Sequence, residues 1–205
     1  MLSREENIKN ILIRLLGLII VLILAGFIDF FVGDTKVFLF INGKLSNSVL
    51  DFVFLYIFVP LLSFLVIVPG FMLLVKKYRI IGTLSLVGGV LCYWVGELIK
   101  FSPRPSALLT QVNLVGNWAV GETSFPSTTT MLVFGLALPV FFLAPKIGRI
   151  SLLFAFLGAF FVVYSGYHFP EDAIAGASLS LLITFPSVFI IKLRKVFLRD
   201  GFPRP

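Results

Sequence analysis

The sequence predicts an all-α polytopic membrane protein, six transmembrane helices gathered in one bundle, and three observations carry that expectation. First, 59% of the 205 residues are apolar and only 13% are charged, where a water-soluble domain carries about 25% charge. Second, mean hydropathy is +1.06 and the chain holds 24 phenylalanines, more apolar surface than one soluble core of this length absorbs, so much of the chain must have lipid as its solvent. Third, apolar runs long enough to cross a hydrocarbon core, about 20 residues at about 1.5 Å of rise each, recur along the chain. This composition excludes collagen-like, disordered and disulfide-stapled chains. The single cysteine, Cys92, lies inside an apolar run, has no partner for an intramolecular bridge and reads as packing.

Taken in order, the spans fall at 11–32, 49–75, 80–100, 126–145, 149–168 and 171–193, within one domain covering 1–205. The first lacks a clear small-residue cleavage site and reads as a retained helix. Gly33-Asp34 ends it, and Lys76-Lys77-Tyr78-Arg79 separates the second span from the third. The polar 102–124 stretch follows the third span, and the fourth opens at Pro126, near the first helical position, with hydroxyls in its first turn. Pro145-Lys146 divides the fourth from the fifth, and His168-Phe169-Pro170 the fifth from the sixth.

Lysine and arginine outnumber acidic residues 17 to 10. They are dispersed between apolar runs, which argues against a nucleic-acid partner and for topology signals. With the N-terminus inside, the inner segments hold thirteen basic residues: Arg4, Lys9, Arg14, Lys76, Lys77, Arg79, Lys146, Arg149, Lys192, Arg194, Lys195, Arg199 and Arg204. The outer segments hold four, Lys36, Lys44, Lys100 and Arg104. Both termini are therefore expected in the cytoplasm, with the loops after spans one, three and five outside, as in a plasma (inner) membrane protein facing the periplasm or exterior. The basic 192–199 segment reads as an anchor against anionic lipid heads.

Polar chemistry concentrates in the outer segments. Glu97 and Lys100, three residues apart, can pair on one helix face, and Pro103 and Pro105 end that helix around Arg104. In isolation, such an arginine reads as an interface anchor. In Ser124-Phe125-Pro126-Ser127-Thr128-Thr129-Thr130 a helix N-terminus offers unpaired N–H groups and a positive dipole end, a place for phosphate-like anions, to which Ser127 and Thr128 can add hydroxyls. Taken alone, this pattern is ordinary capping. His168, the only histidine, is followed four residues later by Asp172 in the first turn of the last helix. A carboxylate beside an imidazole fixes its tautomer and stabilises its cation, as a nucleophilic histidine requires.

Read together and in order, Arg104-Pro105, Ser124-Phe125-Pro126-Ser127 and Gly166-Tyr167-His168-Phe169-Pro170-Glu171-Asp172-Ala173-Ile174-Ala175-Gly176 resemble the three signature motifs of the type 2 phosphatidic acid phosphatase family, related to the vanadium haloperoxidases. The resemblance extends over the whole membrane core. It implies a lipid phosphatase or phosphotransferase, with His168 as nucleophile, Asp172 as its support, Arg104 as a phosphate arginine and Ser127 as a phosphate-binding serine. It also exposes three departures. Glu97 stands where the family has a lysine, seven before the arginine; Thr129 stands in place of the acid histidine, two after the serine; Val162 replaces a second arginine, six before the nucleophile.

These departures weaken a site that works by neutralising phosphate charge, although Lys100, one turn from Glu97, compensates in part. Thr129 cannot serve as an acid at neutral pH, and general acid help is worth about 10²–10⁴-fold. A departing phosphate needs less of that help than a lipid alkoxide. The expected substrate is therefore a lipid phosphate or diphosphate, with a polyprenyl diphosphate favoured, at the outer leaflet. The alternative is a catalytically degenerate relative that binds lipid, transports, or serves a partner. A channel or solute transporter is the weakest reading, resting on Asp29, Asp51 and Glu97 as intramembrane acids. The sequence offers no metal-ligand set and no Gly-rich nucleotide loop, so no metal or cofactor is expected beyond the bilayer and its lipid substrate.

Overall fold

Caps and prolines set the element boundaries in the computed structural model, which describes residues 4–197. Helix α1 (Arg4–Val32) stops at Gly33, whose φ of 96° turns the chain into α2 (Asp34–Phe38) and a π-helical turn, Leu39–Lys44. Asn47 caps α3 (Ser48–Phe52) by accepting from Leu50 N; a second π-helical turn, Val53–Phe58, leads through α4 (Val59–Leu61) to α5 (Phe64–Leu74). Helix α6 (Arg79–Leu98) precedes a polar excursion made of β1 (Phe101–Pro103), α7 (Pro105–Leu108) and β2 (Thr123–Phe125). The two strands pair antiparallel, Phe101 opposite Phe125 and Pro103 opposite Thr123. Helices α8 (Thr128–Leu143), α9 (Pro145–Tyr164) and α10 (Pro170–Phe197) complete the bundle.

The all-helical expectation holds, with 78% of the chain in helices. Five helical stretches are long and apolar enough to cross a membrane: Ile8–Val32, Ser48–Leu74, Arg79–Leu98, Pro145–Tyr164 and Pro170–Arg194. The fourth predicted span, 126–145, is shorter than expected. The helix begins only at Thr128, after the Ser127 cap, and stops at Leu143 because Pro145 already opens the next helix. Its 16 residues reach about 24 Å, against about 30 Å of hydrocarbon. The fifth predicted span also shifts, from 149–168 to Pro145–Tyr164, which leaves His168 in a turn outside the helix. Of the basic tail, Arg199 and Arg204 lie outside the described residues.

Helix α8 is apolar on all sides because it is enclosed on all sides, by α6, α9, α10 and α5. Small residues allow its closest crossing. Gly135 lies so near α6 that a Cβ there would stand 2.8 Å from Gly88 O and Gly89 Cα and 3.0 Å from Cys92 Cβ. Cys92 is fully buried in that seam, as the packing reading expects. Backbone cannot retreat as a flexible side chain can, so Gly135→Leu is expected to destabilise the bundle by about 1–3 kcal/mol. Thermal unfolding of the purified protein in detergent measures this, and an unchanged midpoint would contradict the close crossing.

The connections sort to two ends. Asn42, fully buried in the first π-turn, donates to Asn113 O at 2.7 Å and Tyr164 O at 2.8 Å and accepts from Asn113 N at 2.9 Å, tying the segments after α1, α6 and α9 together. At the opposite end Arg14 Nη1 donates to Phe141 O and Phe142 O, at 3.4 and 3.3 Å, where α8 gives way to α9. The predicted outer loops thus do share one end, and the polar chemistry is assembled there.

Candidate active site

Two turns and one helix end bring the predicted residues together. After α9 the chain reverses at Gly166, with φ 83°; a Cβ there would meet Asn113 O at 2.7 Å. The turn is closed by Tyr167 N and His168 N, which both donate to Val162 O, and it leaves His168 only 4% exposed. Asp172, in the first turn of α10 and 1% exposed, accepts from Phe169 N at 2.9 Å through Oδ2. The same oxygen lies 3.3 Å from His168 Nδ1. The backbone bond fixes the carboxylate, and the carboxylate fixes the ring, so that Nδ1 carries the proton and Nε2 presents its lone pair.

Nε2 faces Arg104, whose Nη1 stands 3.4 Å away. The anchoring reading of that arginine is therefore corrected: it is 6% exposed, held by Nη1 donating to Tyr167 O at 2.7 Å and Nε donating to Gly121 O at 2.5 Å. Burial pushes the His168 imidazole below its ordinary value, Asp172 pulls it up, and the Arg104 and Lys100 charges push it down. The ring is consequently neutral at pH 7, as a nucleophile must be.

Both groups open on a cavity of about 550 Å³ lined by Glu97, Lys100, Arg104, Thr128, Thr129 and His168. Lys100 Nζ donates to Glu97 Oε1 at 2.7 Å, confirming the predicted i,i+3 pair, although Lys100 lies just past the end of α6. Gly96 sets this corner: a Cβ on it would lie 2.7 Å from Met131 Sδ and 2.8 Å from Thr128 Cγ2, so α6 ends against the first turn of α8. Val59, Leu62, Phe161 and Val162 give the chamber an apolar wall. Ser127 is fully buried and absent from the cavity lining, and its hydroxyl accepts from Thr130 N at 3.3 Å and Thr130 Oγ1 at 3.1 Å. It is the helix cap, while Thr128 and the exposed Thr129 present the helix tip to the cavity.

Sequence reasoning missed Tyr167 and Trp118. Tyr167 donates through its hydroxyl to Gly116 O at 2.6 Å, and its ring packs 5.3 Å from that of Trp118, closing the polar excursion over the site. Trp118 lay in the polar 102–124 stretch, which has no periodicity to read, and Tyr167 sat inside the third motif without a visible partner. Asp51, an intramembrane acid in the channel reading, instead accepts from the Tyr164 hydroxyl at 2.6 Å and has a structural explanation.

Asp34 stands behind His168 and Asp172. Its Oδ1 accepts from Glu171 N at 2.9 Å, capping α10 one residue before Asp172, and its other polar neighbour is the Asp29 carboxyl. Burial, then the charges of Asp29 and Asp172, raise its pKa to about 7, against the lowering effect of the Glu171 bond. A carboxyl whose pKa is raised by folding stabilises the protein when protonated. Stability is expected to be greatest below the ordinary aspartate range and to fall as pH rises through about 7. Asp34→Asn should flatten that decline. Melting temperatures from pH 5 to 8, identical in shape for both proteins, would overturn the assignment.

The profile of the PAP2 superfamily matches residues 77–195, which contain all these cavity groups except the apolar Val59 and Leu62. Undecaprenyl-diphosphatase BcrC of Bacillus subtilis is 26% identical over 110 residues, 54% of this chain and 56% of that protein. Bacitracin transport permease protein BcrC of Bacillus licheniformis is 29% identical over 109 residues, 52% of this chain and 53% of that one. The chain thus spans about half the length of the curated relatives it matches. The crystal structure of Aquifex aeolicus LpxE superposes with a TM-score of 0.59 at 29% identity, over 78% of this chain and 94% of that one.

Proposed function

This chain belongs to the PAP2 superfamily, and on that premise we propose that it is an integral membrane phosphatase that cleaves a lipid phosphate or diphosphate through a phosphohistidine on His168. The observation that carries the reading is the orientation of one ring: Nδ1 toward Asp172 at 3.3 Å, Nε2 toward Arg104 and the cavity. Nε2 attacks phosphorus, the bond to the leaving oxygen breaks, and Asp172 stabilises the resulting cationic ring. Arg104, Lys100 and the α8 tip at Thr128 and Thr129 hold the phosphate oxygens, with Glu97 at the same wall. Water then attacks the phosphohistidine, releasing inorganic phosphate and restoring the neutral ring.

No side chain at position 129 can protonate a departing alkoxide, so a diphosphate, which expels a lipid phosphate instead, suits the site best. A polyprenyl diphosphate agrees with the Bacillus subtilis relative being an undecaprenyl-diphosphatase, and the apolar wall of Val59, Leu62, Phe161 and Val162 suits its first carbons. In this reading the chain is one domain, α8 is a sixth crossing shortened by the Ser127 cap and by Pro145, and the thirteen-to-four basic asymmetry keeps both termini in the cytoplasm with the site outside.

The test is phosphate release by the purified protein from a panel of lipid mono- and diphosphates. Release that His168→Ala abolishes supports the reading; no release from any of them refutes it. Glu97, Thr129 and Val162, together with the transport name of the second relative, favour one alternative, a degenerate lipid-binding, transport or partner protein. That alternative requires His168→Ala to leave biological function intact in complementation.

A further inference from the structure

Of the three acids at membrane depth, Asp51 is satisfied by Tyr164 and Glu97 by Lys100. Asp29, inside the crossing stretch Ile8–Val32 and 8% exposed, is not fully satisfied. It shares a hydrogen bond with the Asp34 carboxyl, while its Oδ1 is buried without a partner. A buried carboxylate oxygen that lacks a donor costs free energy, and an ionisable group at this depth points to a ligand or a pathway.

Asp29 stands in the wall of a second cavity, about 340 Å³ in volume, which shares no lining residue with the chamber of His168. Helices α1, α8, α9 and α10 enclose it, through Ala25, Phe134, Phe156, Ala173 and Ala177 among others. Val21 and Ile28, also in the wall, are 47% and 56% exposed, so the cavity opens sideways past α1 to lipid. Among the described residues of its lining, Asp29 is the one polar side chain. Two more carboxyls back it: Asp34, and Glu171, whose N–H donates to Asp34 Oδ1 at 2.9 Å. The charges that reach Asp34 belong to Asp29 and Asp172, both acids. Among the described residues no basic side chain forms an ion pair with Asp29, Asp34 or Glu171. An apolar cavity therefore ends in acids that have no counter-ion of their own.

We propose that this cavity binds a single-chain amphiphile with an ammonium head, its chain among the apolar side chains and its nitrogen donating to Asp29 Oδ1. An alcohol would supply the missing hydrogen bond only. An alkyl ammonium supplies the bond and the counter-charge together, in low-dielectric surroundings where a charge-assisted bond is strongest. Size selects against a phospholipid, since about 340 Å³ lies at the small end of ligand cavities, about 300–1,000 Å³, with room for one chain and not for two. Charge selects against it as well, because its phosphate would be brought against three carboxyls. Binding here does not depend on hydrolysis at His168.

Native mass spectrometry of the full chain, released from neutral detergent micelles, counts bound dodecylamine directly. One saturable adduct is expected. Dodecanol, of equal length and uncharged, should bind about tenfold more weakly, the fold-change of losing a hydrogen bond to a charged group. Asp29→Asn keeps the shape of the side chain, removes its charge and should weaken dodecylamine by a similar factor. Ala25→Phe fills the cavity from α1 and should abolish the adduct, whereas Glu122→Gln, which removes an exposed acid of the polar excursion, should leave it unchanged. Equal dodecylamine binding by wild type and Asp29→Asn overturns the proposal, and should Ala25→Phe fail to fold, that comparison decides alone. Dodecanol bound as tightly as dodecylamine would make the cavity merely apolar, and dioleoyl phosphatidylethanolamine bound more tightly would make it a phospholipid site; either result also overturns the proposal.

Discussion

Replacing His168 by glutamine is expected to abolish phosphate release and to remove an acid-labile, alkali-stable phosphoprotein seen in rapidly quenched wild type. Glutamine keeps a polar side chain of similar reach, so the buried turn around Val162 O retains its backbone bonds and the melting temperature should move little. The chemistry has no second imidazole to fall back on, because this is the sole histidine in the chain. Asp172→Asn tests the same unit from behind. It removes the partner that raises the imidazole pKa while burial and Arg104 continue to lower it, so the acidic limb of the pH profile should shift to lower pH. Turnover should drop by about 10²–10⁴-fold, since an amide can hold the wrong tautomer, as in the serine protease triad. A phosphoprotein that persists in His168→Gln would locate the nucleophile elsewhere.

What the sequence disclosed, and what it concealed, divides along physical lines. Apolar length is a local property, so the helices at Ile8–Val32, Ser48–Leu74, Arg79–Leu98 and Pro170–Arg194 could be read nearly to their ends. The shortening of α8 could not, because its limits depend on how Ser127 caps and on where Pro145 starts the next helix. The pairing of Glu97 with Lys100 and the approach of Asp172 to His168 were legible from helical spacing. Arg104 was singled out by its motif, but its burial was not legible, as it depends on Gly121 and Tyr167, which are 17 and 63 residues away. The same holds for Ser127, whose hydroxyl is claimed by Thr130 before a ligand can reach it, and for Asn42, whose role in tying three segments together has no signature in its apolar neighbourhood. Ordered motifs could suggest a phosphate site, but only the fold could separate the groups that face the cavity from those that build it.

Arg104→Ala is expected to damage both stability and turnover, and Arg104→Lys to separate the two effects. The guanidinium reaches Gly121 O at 2.5 Å, Tyr167 O at 2.7 Å and the vicinity of His168 Nε2 at 3.4 Å from one planar group. Alanine leaves those carbonyls without their donor, and each lost bond to a charged group is worth about 1.5–3 kcal/mol. It also removes the cation nearest the attacking nitrogen, where charge builds on phosphorus oxygens, a loss of about 10²–10³-fold in rate. Lysine restores the charge but is a point donor on a flexible stem, unable to bridge both carbonyls while aiming at an anion. It should therefore recover part of the phosphate affinity, read as KM, while kcat and the melting temperature stay depressed. Full recovery of kcat by lysine would mean that charge alone matters at this position. The fork geometry would then be a feature of folding, and the excursion carrying Gly121 would be held over the cavity by the Tyr167 and Trp118 contacts instead.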